Sequence, residues 1–339
     1  MDAGIFDAVN DHNITLWRSG RVLGPGSTKN PICIVANYLF DTLYHDIFQV
    51  DGGQLKEGLI SVGSKNQEPD PLDPDIIKRL DNRFQYVPIT PDYYLAEDGD
   101  EVHFRRILRW YHEFFRNNAS GASVLVPIGA LRALRRLAAF SNGRALVISG
   151  DKGNNNPDQF GGIMDPHIAV HGSFSLMVNY HAIGMWFTSR GGFTLHNPQE
   201  EASLKVSCFV LTEPASSTAL ITEKEDEWLG VSISSKDYER SLAFPHLRVA
   251  FSDAVDVFGP NDFFVLQKSL KEDAPNPPLK AVVALLKLGD WDPDVFFKFR
   301  DVILNQVPTC GQKLKNDLCR GIPRVWSNYY MLDTDKVSG

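Results

Sequence analysis

Residues Pro31–Phe48 read PICIVANYLFDTLYHDIF. The apolar run Ile32–Ala36 stops at Asn37, and the chain then turns through Tyr38, Leu39, Phe40 and Asp41. A short apolar run bounded by turn-forming residues reads as a strand. In an open α/β sheet, ligands bind just beyond the carboxyl ends of the strands. Asn37 and Asp41 are therefore the first catalytic candidates. The amide suits a substrate amine or amide, and the carboxylate four residues on can orient it or hold a cation. The same spacing also fits a plain turn at Asn37 and a helix cap at Asp41.

A second strand end of this kind lies downstream. Ala145–Ser149 runs into Gly150-Asp151-Lys152-Gly153. Two glycines permit positive φ and close approach of backbone to a ligand. Asp151 and Gly153 are therefore candidate substrate contacts on the same sheet edge, with a tight exposed turn as the competing reading. The GxxxxGK[ST] spacing of a phosphate-binding loop is absent.

Composition bounds the function classes. The chain has 339 residues, is 43% hydrophobic and carries a net charge of −8. That is enough apolar residue for a real core, and length for two ordinary domains. The acidic balance argues against nucleic acid and anionic membrane as general partners. No apolar run reaches the roughly 20 residues that span a bilayer. The start, MDAGIFDAVNDHN, lacks the basic region of a signal or transit peptide. The four cysteines form no CxxC pair, which fits a reducing compartment and no structural zinc. The expectation is an intracellular, cytoplasmic protein; a mitochondrial location would need an import segment upstream.

Along the chain, Asp46–Val50 and Leu55–Ile60 flank Asp51-Gly52-Gly53, a hairpin signal. Residues 62–100 are polar and Pro/Asp-rich and read as a surface insertion around a short helix. Glu101–Asn117 and Ile128–Phe140 carry helical periodicity, and Ser175–Thr188 reads as a helix. Phe193–His196, Leu204–Leu211 and Leu247–Phe251 read as strands. From Asn261 on the texture is helical, with Leu279–Leu288, Asp294–Val307 and Gln312–Leu332 as helices. Their aromatics, including Trp291, Phe297, Phe299, Trp326 and Tyr329, read as packing residues.

Two further clusters hold reactive side chains. His167, His171 and His181 lie near Asp165 and Asn179, but the run lacks the HExxH pattern, so hydrogen-bonded structural histidines are favoured over a metal site. A hydrolase pairing His171 or His181 with Asp151 or Asp165 is the remaining use for them. Ser173 and Ser175 lack the GxSxG elbow of a hydrolase nucleophile. At the start of the chain, Asp2 and Phe6 suit a nucleoside base, the carboxylate taking the exocyclic amine and the ring stacking. A frayed terminus is the competing reading.

Asn37, Phe40, Asp41 and Leu43 together resemble the strand-end motif of the MidA-like family of S-adenosylmethionine-dependent methyltransferases. In that family an Asn after the fourth core strand leads into a Phe-Asp-Ala/Ser-Leu turn. ALVISGDKG is similar to the family's fifth-strand end, where Asp is followed by Tyr-Gly; Asp151 and Gly153 match, with Lys152 in place of Tyr. The resemblance covers about residues 1–215, and the helical tail loosely. It implies an α/β fold with a Rossmann-like methyltransferase sheet and S-adenosyl-L-methionine as cofactor. It also implies transfer to a protein substrate, arginine-directed in the family, with Asp2 and Phe6 on the adenine side.

Two departures accompany it. Tyr38 stands where the family has Glu, which removes the carboxylate expected to face the substrate. No GxGxG, the family's donor-binding loop, occurs in the sequence. The resemblance then implies a sheet incomplete at its N-terminus, as in a truncated gene product. The expected organisation is a partial methyltransferase-like domain over residues 1–265, with an insertion near 62–120, and a helical tail over 266–339. The alternative function is a non-catalytic protein-interaction module derived from that fold.

Overall fold

The computed structural model describes residues 1–64, 66–68, 70, 72–73, 75–94, 101–170, 174–197, 204–212, 233–255 and 258–330. The chain divides into two units, Met1–Asp256 and Val257–Gly339. In the first, β1 (Ile14–Thr15) and β2 (Val22–Leu23) form a small antiparallel ribbon. The run that opened the reading is β3 (Ile32–Asn37).

Between β3 and its sheet partner the chain builds a second sheet. β4 (Asp46–Asp51), β5 (Gln54–Ser64), β6 (Leu80–Pro88) and β7 (Ala122–Val126) pair antiparallel in the order β6-β5-β4-β7. The β4–β5 hairpin closes through Gly52 and Gly53, both at positive φ, as a two-residue turn of this hand requires. β6 occupies part of the stretch expected to be a surface insertion. Its even positions Leu80, Phe84 and Tyr86 alternate with Asp81, Arg83 and Gln85, a period of two that the flanking Pro/Asp clusters obscure. Helix α1 (Glu101–Phe115) precedes β7, and α2 (Ile128–Ala139) follows it. α2 turns Leu131, Leu134 and Ala138 inward. It ends at Asn142 and Gly143, both left-handed, with the Gly143 amide closing onto Ala138.

The chain then enters β8 (Ala145–Asn154), which pairs parallel with β3 from Ile32↔Ala145 to Asn37↔Gly150. β9 (Ile168–Val170) and β10 (Phe174–Leu176) form a ribbon, and β11 (Val178–Asn179) joins the end of β8 in parallel. Helix α3 is Tyr180–Ser189, not a helix from residue 175, because the Asn179 side chain caps it by accepting from the Ala182 amide at 2.9 Å. β12 (Phe193–His196) and β13 (Leu204–Leu211) complete the sheet. The order is β3-β8-β13-β12, with β13 antiparallel to both neighbours and the other three parallel to one another. The fold is thus mixed α/β with a mixed sheet.

One core joins the two sheets and α1–α3, with Ala36, Phe48, Val124, Leu131, Val147 and Trp186 among its members. The other face of the β3-β8-β13-β12 sheet is covered unevenly. Two more helices, α4 (Ile233–Ser241) and α5 (Pro245–Val255), follow β13, and α5 lays Leu247 and Phe251 over Phe193, Cys208 and Val210. Leu247–Phe251 is therefore helix rather than strand. The five residues Leu-Arg-Val-Ala-Phe fit either period, and here Pro245 at the first turn and the i, i+4 pair Leu247 and Phe251 decide for helix. Over β3 the same face is open: Val35 is 74% exposed, and Cys33 and Ile148 are also exposed.

The second unit is helical: α6 (Pro260–Lys268), α7 (Leu279–Leu288), α8 (Pro293–Lys298), α9 (Arg300–Gln306) and α10 (Gln312–Tyr329). Residues 294–307 are two helices rather than one, broken at Phe299. Trp291 and Phe299 are buried with Val282, Leu286 and Leu318, whereas Phe297, Trp326 and Tyr329 are exposed and do not serve as core. Among the described residues no helix is long and apolar enough to cross a membrane.

Candidate functional site

The site grows from the place where β3 stops. The Tyr38 amide still donates to the Gly150 carbonyl at 3.0 Å, but Tyr38 itself takes φ 49°, which swings the chain off the sheet. A bulky residue in the left-handed region is strained and needs surroundings that hold it there. The holding contact comes next. Phe40–Thr42 forms a 3₁₀ turn, Phe40 plugs the core, and the Asp41 amide donates to Asp151 Oδ2 at 3.2 Å.

The Asp41 and Asp151 carboxyls face each other with little water. Asp151 is fully buried and Asp41 is 9% exposed. Burial first, and then the charge of Asp41, pushes Asp151 up to about 7; the amides of Asp41, Lys152 and Phe40 oppose that. Burial also raises Asp41, against its own backbone amide, the positive charge of Lys152 and a side-chain hydrogen bond to Asp151. Two adjoining buried carboxyls cannot both ionise freely, so the pair holds a proton into the neutral range. Burial and the two carboxyls likewise raise the Tyr38 phenol. Below them, Ser149 Oγ and the Tyr180 hydroxyl lie 2.8 Å apart in the core. The Asp41 Oδ1 atom is buried and has no hydrogen-bond partner. Buried acceptors are nearly always satisfied, and the proton shared with Asp151 is the donor within reach of this one. Asn37 and Tyr38 form the exposed lip beside it, and the Asn37 amide leans over Gly150.

The structure brings Asn37, Asp41 and Asp151 together as the two strand-end motifs required. It gives two of the expected residues different work. Asp151 offers no surface to a substrate; it anchors the turn that carries Asp41. Gly153 is buried where a Cβ would sit 2.4 Å from the Val178 carbonyl oxygen and 2.9 Å from the Tyr180 ring, so it serves close packing of β11 rather than a ligand.

Asp2 and Phe6 are not brought to this rim. The Asp2 carboxylate accepts from the amides of Ala3, Arg18 and Ser19 and from the Ser19 hydroxyl, which hold it down to about 2. Phe6 packs edge-on against Phe140, with ring centres 6.2 Å apart. Phe140 lies beyond the end of α2, beside the amino ends of β3 and β8. Asn37 is five residues up the strand, on the order of 16 Å away at about 3.3 Å per residue.

His181 does not converge with Asp151 or Asp165, whereas His167 lines one cavity with Asp165. His181 is buried, bonded through Nδ1 to the Tyr111 hydroxyl at 2.8 Å, and lowered to about 3 by burial. Asp165 instead accepts from the Tyr86 hydroxyl, and His167 is exposed. His171 and Ser173 lie outside the described residues. Among the described residues no three His, Cys, Asp or Glu side chains are grouped to hold a metal ion. The Tyr180–Ser149 contact escapes a sequence reading, although a serine inside the buried run ALVIS signals that some partner must exist. Compared with known proteins, the chain matches no family model, no curated protein and no solved structure.

Proposed function

We propose that the chain carries the acceptor side of a MidA-like methyltransferase fold. At its rim Asp41 binds an N–H group of an amine or guanidinium nitrogen on a protein substrate, flanked by Asn37 and Tyr38. The observation that carries this reading is the raised Asp41–Asp151 carboxyl pair beneath the exposed Asn37–Tyr38 lip, where Asp41 Oδ1 has no fixed donor apart from the proton the pair shares. A charge-assisted hydrogen bond to a cationic nitrogen would satisfy it and lower the cost of ionising Asp41. Asp151 is a positioning residue that fixes the turn. The Rossmann-like reading is supported by topology. β3 and β8, which the motifs equate with the fourth and fifth core strands, are parallel neighbours as in the doubly wound order. β13, second from the edge, runs antiparallel to both its neighbours, so the sheet is mixed.

The residues offered for S-adenosyl-L-methionine do not fit it. Asp2 has spent its carboxylate on the β1–β2 ribbon, and Phe6 has its ring against Phe140. No methyl-transfer step is therefore derived for this chain.

Calorimetric titration of the full chain with an arginine-containing peptide tests the rim. Binding that weakens at least about tenfold in Asp41→Asn, the loss of a charge-assisted bond, supports the reading; an unaffected Asp41→Asn, or no binding, ends it. A parallel titration with S-adenosyl-L-methionine tests the donor. Silence at millimolar ligand separates a binding rim from a complete enzyme.

A second reading has its own observation. β3 is a core-type strand with one unpaired edge among the described residues, and it exposes Val35. An open strand edge is a template for pairing with another chain. This favours the non-catalytic interaction module if the arginine peptide fails to bind.

A further inference from the structure

A cavity of about 300 Å³ opens away from the Asp41 rim, between β7 and the segment that leads to β11. None of the rim residues lines it. Its walls are apolar, built from Leu125, Phe160, Ile163 and Met177. Its size is at the lower end of small-molecule pockets, which run from about 300 to 1,000 Å³.

Its polar side chains are Ser123, Asn154, Asp165, His167 and Asn179, and the first and third of these give it a direction. Ser123 is only 5% exposed, lines the cavity, and its Oγ has no hydrogen-bond partner. Leaving a buried hydroxyl unmet costs on the order of 1–3 kcal/mol, so its presence needs a reason. The neighbouring amide cannot supply one. Asn179 is saturated, donating to the Leu125 carbonyl and the Tyr111 hydroxyl while accepting from the Ala182 amide. At the exposed end Asp165 presents a carboxylate. Tyr86 fixes it by donating to Asp165 Oδ1 at 2.7 Å, and the adjoining Met164 carbonyl accepts from both Tyr86 and Gln49. The mouth is thus held in place before any ligand arrives, which spares the cost of ordering it.

We infer that this cavity is a binding site for a small ring-shaped amine. The flat apolar body would lie between Phe160, Met177 and Leu125. A ring N–H, hydroxyl or ring nitrogen would meet Ser123 at the inner end, since a hydroxyl both donates and accepts. An ammonium group would meet Asp165 at the mouth, where a carboxylate accepts only. The size of the cavity limits the body to one or two rings.

Tryptamine is the probe that fits this order of groups. Indole, which lacks the amine, and indole-3-propionate, which reverses the charge, are its controls. Titration of the full chain is followed by ligand-observed NMR. Tryptamine should bind, indole should bind at least about fivefold more weakly, and the propionate should not compete. Asp165→Asn, at an exposed position, should reduce tryptamine to the affinity of indole. Ser123→Ala should weaken both by a few-fold, on the order of one hydrogen bond. Leu125→Trp should fill the cavity and abolish binding, with circular dichroism confirming that the variant is folded; if it is not, Asp165→Asn carries the test. The inference is overturned if tryptamine does not bind at millimolar concentration, if the propionate binds as well as the amine, or if Asp165→Asn leaves tryptamine unaffected.

Discussion

The Asp41 amide donates to Asp151 Oδ2 across 110 residues of chain, at 3.2 Å in the buried interior. This bond ties the turn after β3 to the middle of β8 and sets one carboxyl against another. It explains why an Asp is useful at the end of each strand. The first offers an oxygen to the rim, and the second holds the first in place. The arrangement has a cost, because Asp151 carries charge into the interior above neutral pH.

That cost fixes the first prediction. Asp151 holds its proton to about 7 in the folded chain, against 3.8 ordinarily. The folded state therefore binds more protons than the unfolded state between those values. Stability from this group is fully present below the lower value and falls as pH rises through about 7. Asn at this position never ionises and still accepts from the Asp41 amide. Asp151→Asn should be more stable than the natural chain by about 2–4 kcal/mol above neutrality, with the advantage vanishing near pH 4. Urea unfolding at the two pH values measures this. A variant that is less stable at both would show that the carboxylate is needed in its charged form.

The two glycines of the second motif should behave differently. A Cβ at Gly153 would meet the Val178 backbone oxygen at 2.4 Å, and neither partner can move without unpairing β11. Gly153→Ala should cost about 1–3 kcal/mol, as overpacking does. At Gly150 the nearest atom is the Asn37 side-chain oxygen at 3.3 Å, which can rotate away. Gly150→Ala should melt near the natural temperature while weakening whatever the rim binds. Thermal unfolding together with the peptide titration distinguishes the two. Equal destabilisation by both would contradict the packing account.

The strand ends were legible because an apolar run closed by a turn residue is a dense local signal, whereas the open face of β3 at Cys33 and Val35 left none. The juxtaposition of Asn37, Asp41 and Asp151 followed once the two runs were neighbours. What spacing could not convey was depth. Asp151 and Gly153 look like an exposed turn in sequence, and only the pairing of β11 with β8 and the folding back of Phe40–Thr42 bury them. Asp2 and Phe6 failed for a related reason. Their residue types suit a nucleoside, but local partners, Ser19 and Phe140, had already claimed both side chains. Leu247–Phe251 forms helix where a strand is expected because Leu-Arg-Val-Ala-Phe is too short to fix a period of its own.

Buried histidines predict acid sensitivity. Burial lowers His103 and His181 to about 3 and His196 to about 4. Each is neutral in the folded chain, while the unfolded chain takes up protons below about 6.5. The unfolded state then binds more protons, so stability is lost as pH falls from about 6.5 toward those lower values. At pH 5 each histidine withdraws about 2 kcal/mol, an effect opposite in sign to that of Asp151. His181→Gln, which can still bond to the Tyr111 hydroxyl, should reduce the loss between pH 7 and pH 5 by about that amount. Denaturant unfolding at the two pH values reads it directly. An unchanged pH dependence would mean that His181 is not buried neutral.

The open face over β3 can be tested with the natural cysteines. Cys33 and Cys208 lie on the same face of the sheet, one exposed and the other 1% exposed under α5. Burial, with a smaller contribution from Cys33, pushes the Cys208 thiol up to about 12. Only thiolate reacts quickly with a disulfide reagent. Cys33 should therefore label in the native chain at a rate comparable with exposed Cys319, and Cys208 only after denaturation. Val35→Lys should leave this pattern intact, because the Val35 side chain already faces solvent. If Cys33 proves protected in the purified chain and becomes reactive in Val35→Lys, the β3 edge is occupied in solution by a second copy, and the interaction reading gains over the acceptor rim.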